Sequence, residues 1–258
     1  QAWMVIMFIC ALIMLALGMY HIRILPTEDN SERKVSTARD AIIALWEVIR
    51  TFFQKKYIGF HIIFIILYRS AEGLAVKIVP LFLKASRDVG GLGLSTQDIG
   101  LVYGTAGSAA FVVGSILGGY FISSVGLKKS LIYLWSAFNI PFVGYFLLAA
   151  FRPDSLFVIG LAVVIEYFGY GFGFVGLMLF MMQQIAPGKH QMAHYAFATA
   201  IMNLGFMLPS MVSGTLSDLM GYKTFFIIVL IATIPAFLVT VFVPFVYPDS
   251  KDKVVKAK

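Results

Sequence analysis

Two stretches, "GYFISSVGLKK" (119–129) and "GTLSDLMGYK" (214–223), carry the same skeleton. The first presents Gly119, Ser123, Gly126 and Lys128, and the second presents Gly214, Asp218, Gly221 and Lys223. Each member of one set stands 95 positions from its counterpart. Two further pairs, Glu72 with Glu166 and Pro141 with Pro235, are 94 apart. Four coincidences at one spacing and two at a spacing one residue shorter define an internal repeat, residues 57–151 matching 155–247.

The composition identifies the solvent around that repeat. Sixty per cent of the chain is apolar, 13% is charged, and the mean hydropathy is +0.88; soluble domains run nearer about 45–50% and about 25%. Several apolar runs exceed the roughly 20 residues that cross a hydrocarbon core. The hydropathy predicts seven spans, at 2–24, 57–84, 97–124, 130–151, 155–186, 192–217 and 223–247. Short turns separate the later ones ("RDVGGLGLST", "GLKKS", "RPDS", "APGKHQ", "LMGYK"), and Ser95 with Asp98 fits a capping box. Three spans per repeat is an odd number, so the second repeat starts on the opposite side of the membrane. Three-plus-three inverted repeats build each six-helix half of a major-facilitator transporter. The expected fold is therefore an all-α membrane protein of seven transmembrane helices, six of them (57–247) forming a half-bundle of two inverted repeats. Residues 1–25 would be the last helix of a missing N-terminal half, 26–56 a cytoplasmic linker, and 248–258 a cytoplasmic tail. The opening "QAWMVIMFIC" lacks the charged start of a signal peptide, so the chain is expected to begin partway through a larger protein.

Lys and Arg set the orientation. Fourteen lie on the side of segment 23–56, the "GLKKS" turn, Lys189 and the tail, against four (Lys84, Arg87, Arg152, Lys223) on the other. Positive residues collect in the cytoplasm, which predicts a cytoplasmic C-terminus. Because these residues lie between apolar runs rather than in one patch, the net charge of +7 does not imply nucleic acid. The single cysteine, Cys10, excludes an intramolecular disulfide. Within the long polar segment, Ala38, Ile42, Leu45, Ile49, Phe52 and Phe53 recur at helical spacing behind Ser36 as N-cap. Both a membrane-surface helix and a plain linker helix fit.

Several motifs ask for chemistry. "GFGFVG" (171–176) matches a dinucleotide fingerprint letter for letter but lies inside an apolar run, without the strand that fingerprint needs. Close helix packing or a flexible point is the better reading. Gly100/Gly104 and Gly114/Gly118 make small-xxx-small steps that let helices approach. The repeated Gly-Ser/Asp-Gly-Lys turn is either a packing and gating device or a turn of good geometry.

The charges in "FIILYRSAEGLAVKIVP" (64–80) are the strongest functional signal. Arg69 and Glu72 fall near the centre of their span, and Lys77 lies roughly 10 Å outward at about 1.5 Å per residue. A charge at the centre of a membrane helix costs about 2.5–3.5 kcal/mol, so these residues must face other helices or a wet cavity. Glu166 occupies the matching place in the second repeat. Two roles are open: the charges pair to pin helices, or Arg69 binds an anionic solute group while Glu72 or Glu166 carries a proton. Of the two, Glu72 is the expected carrier, because Arg69 lies one turn away. Asn203 and Asn139 could bond solute or a neighbouring helix. Tyr68, Tyr103, Tyr167 and Tyr170 could stack on sugars or pack, and His61 and His194 read as solvated or capping. No cluster has metal-ligand spacing, no nucleophile set suggests an enzyme, and no cofactor is expected.

The stretches "GLGLSTQDIGLVYGTAG" (91–107), "GGYFISSVGLKKS" (118–130) and "HYAFATAIMNLGFMLPSMVSG" (194–214) resemble the AmpG-like muropeptide permeases of bacteria. These are major-facilitator proteins related to the acetyl-coenzyme A transporters, and the resemblance covers the C-terminal half of such a permease. It implies proton-coupled import of anhydro-muropeptides across the inner membrane, with protons, solute, bilayer and an N-terminal half as partners. Ser123 departs from the acidic residue usual in the superfamily's turn, whereas Asp218 keeps it. The alternatives are transport of another anionic or sugar-containing solute, a membrane-embedded enzyme, or a receptor that keeps the fold without transporting.

Overall fold

The computed structural model describes residues 2–24 and 37–248, and among these every regular element is helical. Residues 1–46 and 47–258 make two compact units. The first unit carries α1 (Ala2–Ile24) and the start of α2 (Ala38–Phe53). Thr37 opens α2: its hydroxyl accepts the Asp40 N–H at 3.2 Å and donates to the Asp40 carboxylate at 2.7 Å. The expected cap Ser36 lies outside the described residues.

The second unit is a helical bundle. Where one apolar span was expected over 57–84, two helices form, α3 (Ile58–Tyr68) and α4 (Ser70–Lys84), with Arg69 between them. The capping box of Ser95 and Asp98 opens α5 (Thr96–Ile99), which passes through a π-helical segment, Gly100–Gly107, into α6 (Ser108–Val125). Then follow α7 (Leu127–Asn139), α8 (Phe142–Phe151) and α9 (Leu156–Phe180), the last extended by a π turn, Met181–Ile185. The 52-residue α10 (Gln191–Phe242) would measure roughly 78 Å if straight, but Gly221 breaks it.

Five stretches are long and apolar enough to cross a membrane: Trp3–Ile24, Thr96–Val125, Leu127–Phe151, Leu156–Ile185 and Gln191–Phe242. This makes the chain a multi-pass helical membrane protein. The remaining expected span, 57–84, misses that standard because Arg69 divides it, and α10 holds two expected spans end to end.

Glycine explains how α9 packs. On one side Gly114 and Gly118 of α6 lie against the Phe168 and Phe172 carbonyls, and Gly171 lies against Phe111. On the other side Gly169 and Gly173 meet the Ala137 and Leu134 carbonyls of α7. The "GFGFVG" stretch is therefore the thin edge that lets α9 sit between two neighbours. Gly100, Gly104, Gly119 and Gly214, also expected to pack, have open space where a Cβ would project.

The two repeated turns share a backbone conformation. Gly126 has φ 95°, ψ 148° and Gly221 has φ 71°, ψ 160°, a region essentially reserved for glycine. Around them Ser123, Lys128 and Asp218 are exposed, and the Lys128 ammonium lies 5.9 Å from the Phe245 ring.

The interior divides into two apolar clusters. One gathers Phe64, Tyr68, Leu131, Phe138, Leu177 and Phe180. The other gathers Leu74, Ile78, Phe142, Tyr145, Val163 and Phe226. Passing from one to the other means crossing Arg69 and Glu72 between α3 and α4, Asn139 at the end of α7, or Glu166 in α9. A polar layer thus separates two greasy ones.

Two histidines tie down helix ends rather than facing water. His61 is buried, its Nε2 2.9 Å from the Pro244 carbonyl. His194 is buried too, its Nε2 3.2 Å from the Thr51 hydroxyl. Beside it Lys189 pairs with Glu47 at 2.9 Å, and that hydrogen bond holds the Glu47 carboxyl below its ordinary range.

The packing predicts a contrast between glycines on one helix. Gly114→Ala drives a Cβ into the Phe168 carbonyl, an overpacking of about 1–3 kcal/mol, and should lower the melting temperature in detergent. Gly119→Ala meets nothing and should leave the melting temperature unchanged or raised, since alanine is the better helix former.

Candidate functional site

The site begins with a broken helix. Arg69 adopts φ −103°, ψ 1°, the bridge region outside the helical well. The Ser70 hydroxyl donates to the Leu67 carbonyl at 2.9 Å, occupying an acceptor near the break. Opposite, α10 presses close: Gly205 sits against the Ile66 backbone and Gly73 against the Phe206 carbonyl. The Ser210 hydroxyl reaches the Gly73 carbonyl at 2.6 Å and the Phe206 carbonyl at 2.9 Å. The break is thus held from α10 as well as from its own helices.

From that break Arg69 makes a two-pronged pair with Glu72. Its Nε donates to Oε2 and its Nη2 to Oε1, each at 2.7 Å. The side chains are only 7% and 5% exposed. The guanidinium also lies 4.6 Å from the Phe206 ring centroid and 5.1 Å from that of Phe174, so aromatic faces support the cation where water would otherwise stand. Tyr170 of α9 interacts with both members of the pair.

Glu72 forms part of the wall of a small cavity of ≈ 30 Å³, and Glu166 forms another part. Tyr103, Tyr145, Tyr167 and Tyr170 complete its polar lining. Glu166 is held by the Tyr145 hydroxyl, which donates to Oε2 at 3.0 Å, and has no ion pair among the described residues. Tyr103 and Tyr167 meet edge to face, centroids 4.8 Å apart. Tyr103 lies in the π-helical segment, a distortion that often marks functional positions. The cavity therefore holds two carboxylates, one arginine at its edge, and four phenols that can donate or accept hydrogen bonds.

Of the candidates read from sequence, Arg69, Glu72 and Glu166 come together. Lys77 does not: it is exposed and forms no part of the cavity lining. Asn203 is likewise exposed, on the far side of α10 from the packed Gly205. Asn139 is the buried amide; its Nδ2 donates to the Trp135 carbonyl at 3.1 Å, while its Oδ1 finds no partner among the described residues. Tyr68 is fully buried and donates to the Gly173 carbonyl at 2.9 Å, a packing role. Sequence reasoning missed Tyr145, Phe174, Phe206 and Ser210. No periodicity marks them, because their importance comes from the helices they face.

This arrangement defines a class: a membrane-embedded bundle with a charged, tyrosine-lined cavity at its middle. The chain is 25% identical over 247 residues to an uncharacterized protein of Haemophilus influenzae, covering 92% of this chain and 56% of that one. It is 24% identical over 205 residues to the anhydromuropeptide permease of Escherichia coli K12, covering 78% and 39%. A Rickettsia bellii protein that carries the transporter name AmpG 1 matches at 22% over 230 residues, covering 88% and 53%. The chain spans about half the length of the curated relatives it matches. No protein-family model matches it. These likenesses are consistent with an AmpG-like permease.

Removing one member of a buried pair leaves an uncompensated charge and costs about 3–5 kcal/mol, whereas replacing both with apolar residues is far milder. Arg69→Met and Glu72→Leu should each lower thermal stability strongly, and the double variant should recover most of the loss. A double-mutant cycle on detergent melting curves measures this coupling.

Proposed function

We propose that this chain supplies the cavity-bearing half of a secondary active transporter of major-facilitator type. It couples import of a solute to protons across a bacterial inner membrane, and the solute is an anhydromuropeptide or related glycoconjugate. One observation carries the reading: Glu166 and Glu72, 94 positions apart, line a single cavity, and Glu72 is bonded to Arg69 behind it. Ionisable groups inside a membrane bundle mark ion and solute pathways. The shared conformation of Gly126 and Gly221 supports two inverted three-helix repeats, the architecture in which solute and coupling ions meet at mid-membrane. The solute class rests on the names that the relatives carry.

The geometry divides the labour between the acids. Glu72 already has the Arg69 guanidinium as its counter-charge. Glu166 has only a phenol. An ionised carboxylate is costly in such a wall unless it is paired, and a bound proton removes that cost. Glu166 is therefore a proton-carrying acid of this wall alongside Glu72, which the sequence favoured.

In proteoliposomes holding the whole transporter, Glu166→Gln should abolish uptake driven by a pH gradient while solute exchange continues, because the neutral amide mimics a carboxyl that never releases its proton. Undiminished gradient-driven accumulation would remove Glu166 from the role.

The orientation is tested separately. Lys129 and Arg152 are both exposed. In a Cys10→Ser background, a cysteine at Arg152 should react with a membrane-impermeant thiol reagent in whole cells, and one at Lys129 should not. The opposite pattern would invert the topology.

A further inference from the structure

The Arg69–Glu72 pair is bonded as a guanidinium binds a carboxylate ligand: two parallel N–H···O bonds of 2.7 Å on one planar edge. Here the ligand is the chain's own side chain. The pair meets the cavity through Glu72, which is part of its wall, with Arg69 bonded behind it. It springs from a break in the helix, where Arg69 leaves the helical conformation at φ −103°, ψ 1°. Phe174 and Phe206 hold the guanidinium from the protein side and offer no competing anion. A pair that served only to pin helices would join two helices, yet Arg69 and Glu72 lie three residues apart on one strand of chain.

We infer that Arg69 is an anion site which Glu72 occupies when the cavity is empty, and that a carboxylate on the cargo displaces Glu72 once Glu72 takes up a proton. This rests on the transporter reading for the identity of the cargo, though not for the existence of the site. When Glu72 is ionised, both donors of the Arg69 fork are taken, and a second carboxylate would bring an uncompensated charge into a low-dielectric wall. When a proton neutralises Glu72, the guanidinium loses its counter-charge, and the cargo carboxylate supplies it. Release reverses the exchange: Glu72 gives up the proton, recaptures Arg69 and expels the anion. One proton and one cargo carboxylate then travel together, which is the stoichiometry of symport at this pair. The groups facing Glu72 are Arg69 itself, Tyr68 of α3, Tyr103 of the π segment, Tyr145 of α8, and Glu166, Tyr167 and Tyr170 of α9. The α10 neighbours, Phe206 and Ser210, do not titrate. Glu166 stands across the cavity as a second acid.

The test needs no cargo in its first arm. Phenylglyoxal modification of Arg69, followed by mass spectrometry on the membrane-embedded protein, reads whether the fork is occupied. In wild type the reaction at Arg69 should be slow. In Glu72→Gln it should be at least tenfold faster, and benzoate should restore protection where benzamide does not. Glu72→Asp, which keeps the charge but shortens the reach, should label at an intermediate rate and serves if the glutamine variant does not fold. Equal labelling of wild type and variants, or equal protection by benzoate and benzamide, would overturn the inference. The second arm compares an anhydromuropeptide with its carboxyamidated form in the whole transporter. Wild-type affinity for the free acid should fall by up to tenfold per pH unit as pH rises, one proton being bound with each anion. Glu72→Gln should remove that dependence. Benzoate protection without any anhydromuropeptide binding would overturn the proposed cargo and leave the anion site standing. A wild-type affinity flat with pH would overturn the exchange.

Discussion

An arginine cannot be left alone inside a membrane bundle, and much of this structure follows from where its counter-charge lies. Glu72 is three residues from Arg69, so one stretch of chain carries both ions and brings its own neutrality with it. A regular helix through Arg69 is given up in the process, and α10 must come close enough to hold the break. That requirement accounts for Gly73 and Gly205, which let the backbones approach, and for Ser210, whose hydroxyl bonds the carbonyls of both helices. The division of the interior into two apolar clusters has the same cause. Hydrocarbon packs against hydrocarbon on either side, and the ion pair lies where the two clusters meet.

There the charges do not balance. Two carboxylates face the cavity and one arginine answers them. A structural ion pair needs no excess, so in the transport reading proposed above the unanswered Glu166 is what would separate a working site from a scaffold. Its tyrosine neighbour can donate a hydrogen bond to either an ionised or a protonated carboxyl, accepting a change of state without rearranging the helices. Proton uptake at Glu166 and anion exchange at Arg69 would then be two events on one cavity wall. Each would alter the electrostatic environment of the other, which is the physical requirement for coupling.

The glycines serve the site by geometry. Helices in lipid gain little from burying apolar surface, so close backbone contact must bind them together. On α9 the glycines alternate sides, admitting α6 on one and α7 on the other. That fixes the rotation of α9, and with it the direction in which Glu166, Tyr167 and Tyr170 project. The loss of stability predicted for Gly114→Ala would therefore disturb the cavity as well as the packing.

Much of this was legible in the sequence. Hydropathy determined the membrane environment because lipid admits only backbones that satisfy themselves, and the 95-residue register of the turns located two glycines that share an unusual conformation. The cost of charge in lipid singled out Arg69, Glu72 and Glu166 with no structure in hand. Only the tertiary structure decided how they are partnered. Helical spacing put Lys77 with them, but α4 turns it outward; it put Asn203 at mid-span, but α10 presents Gly205 to its neighbours instead. Tyr145, Phe174 and Phe206 carried no signal, since a residue's partner across a bundle depends on helix rotation and crossing, to which local pattern is blind. The choice of Glu166 over Glu72 as the uncompensated acid has the same origin. Both are lone acids in apolar runs along the chain, and what distinguishes them is the counter-charge that folding brings, or does not bring, within reach.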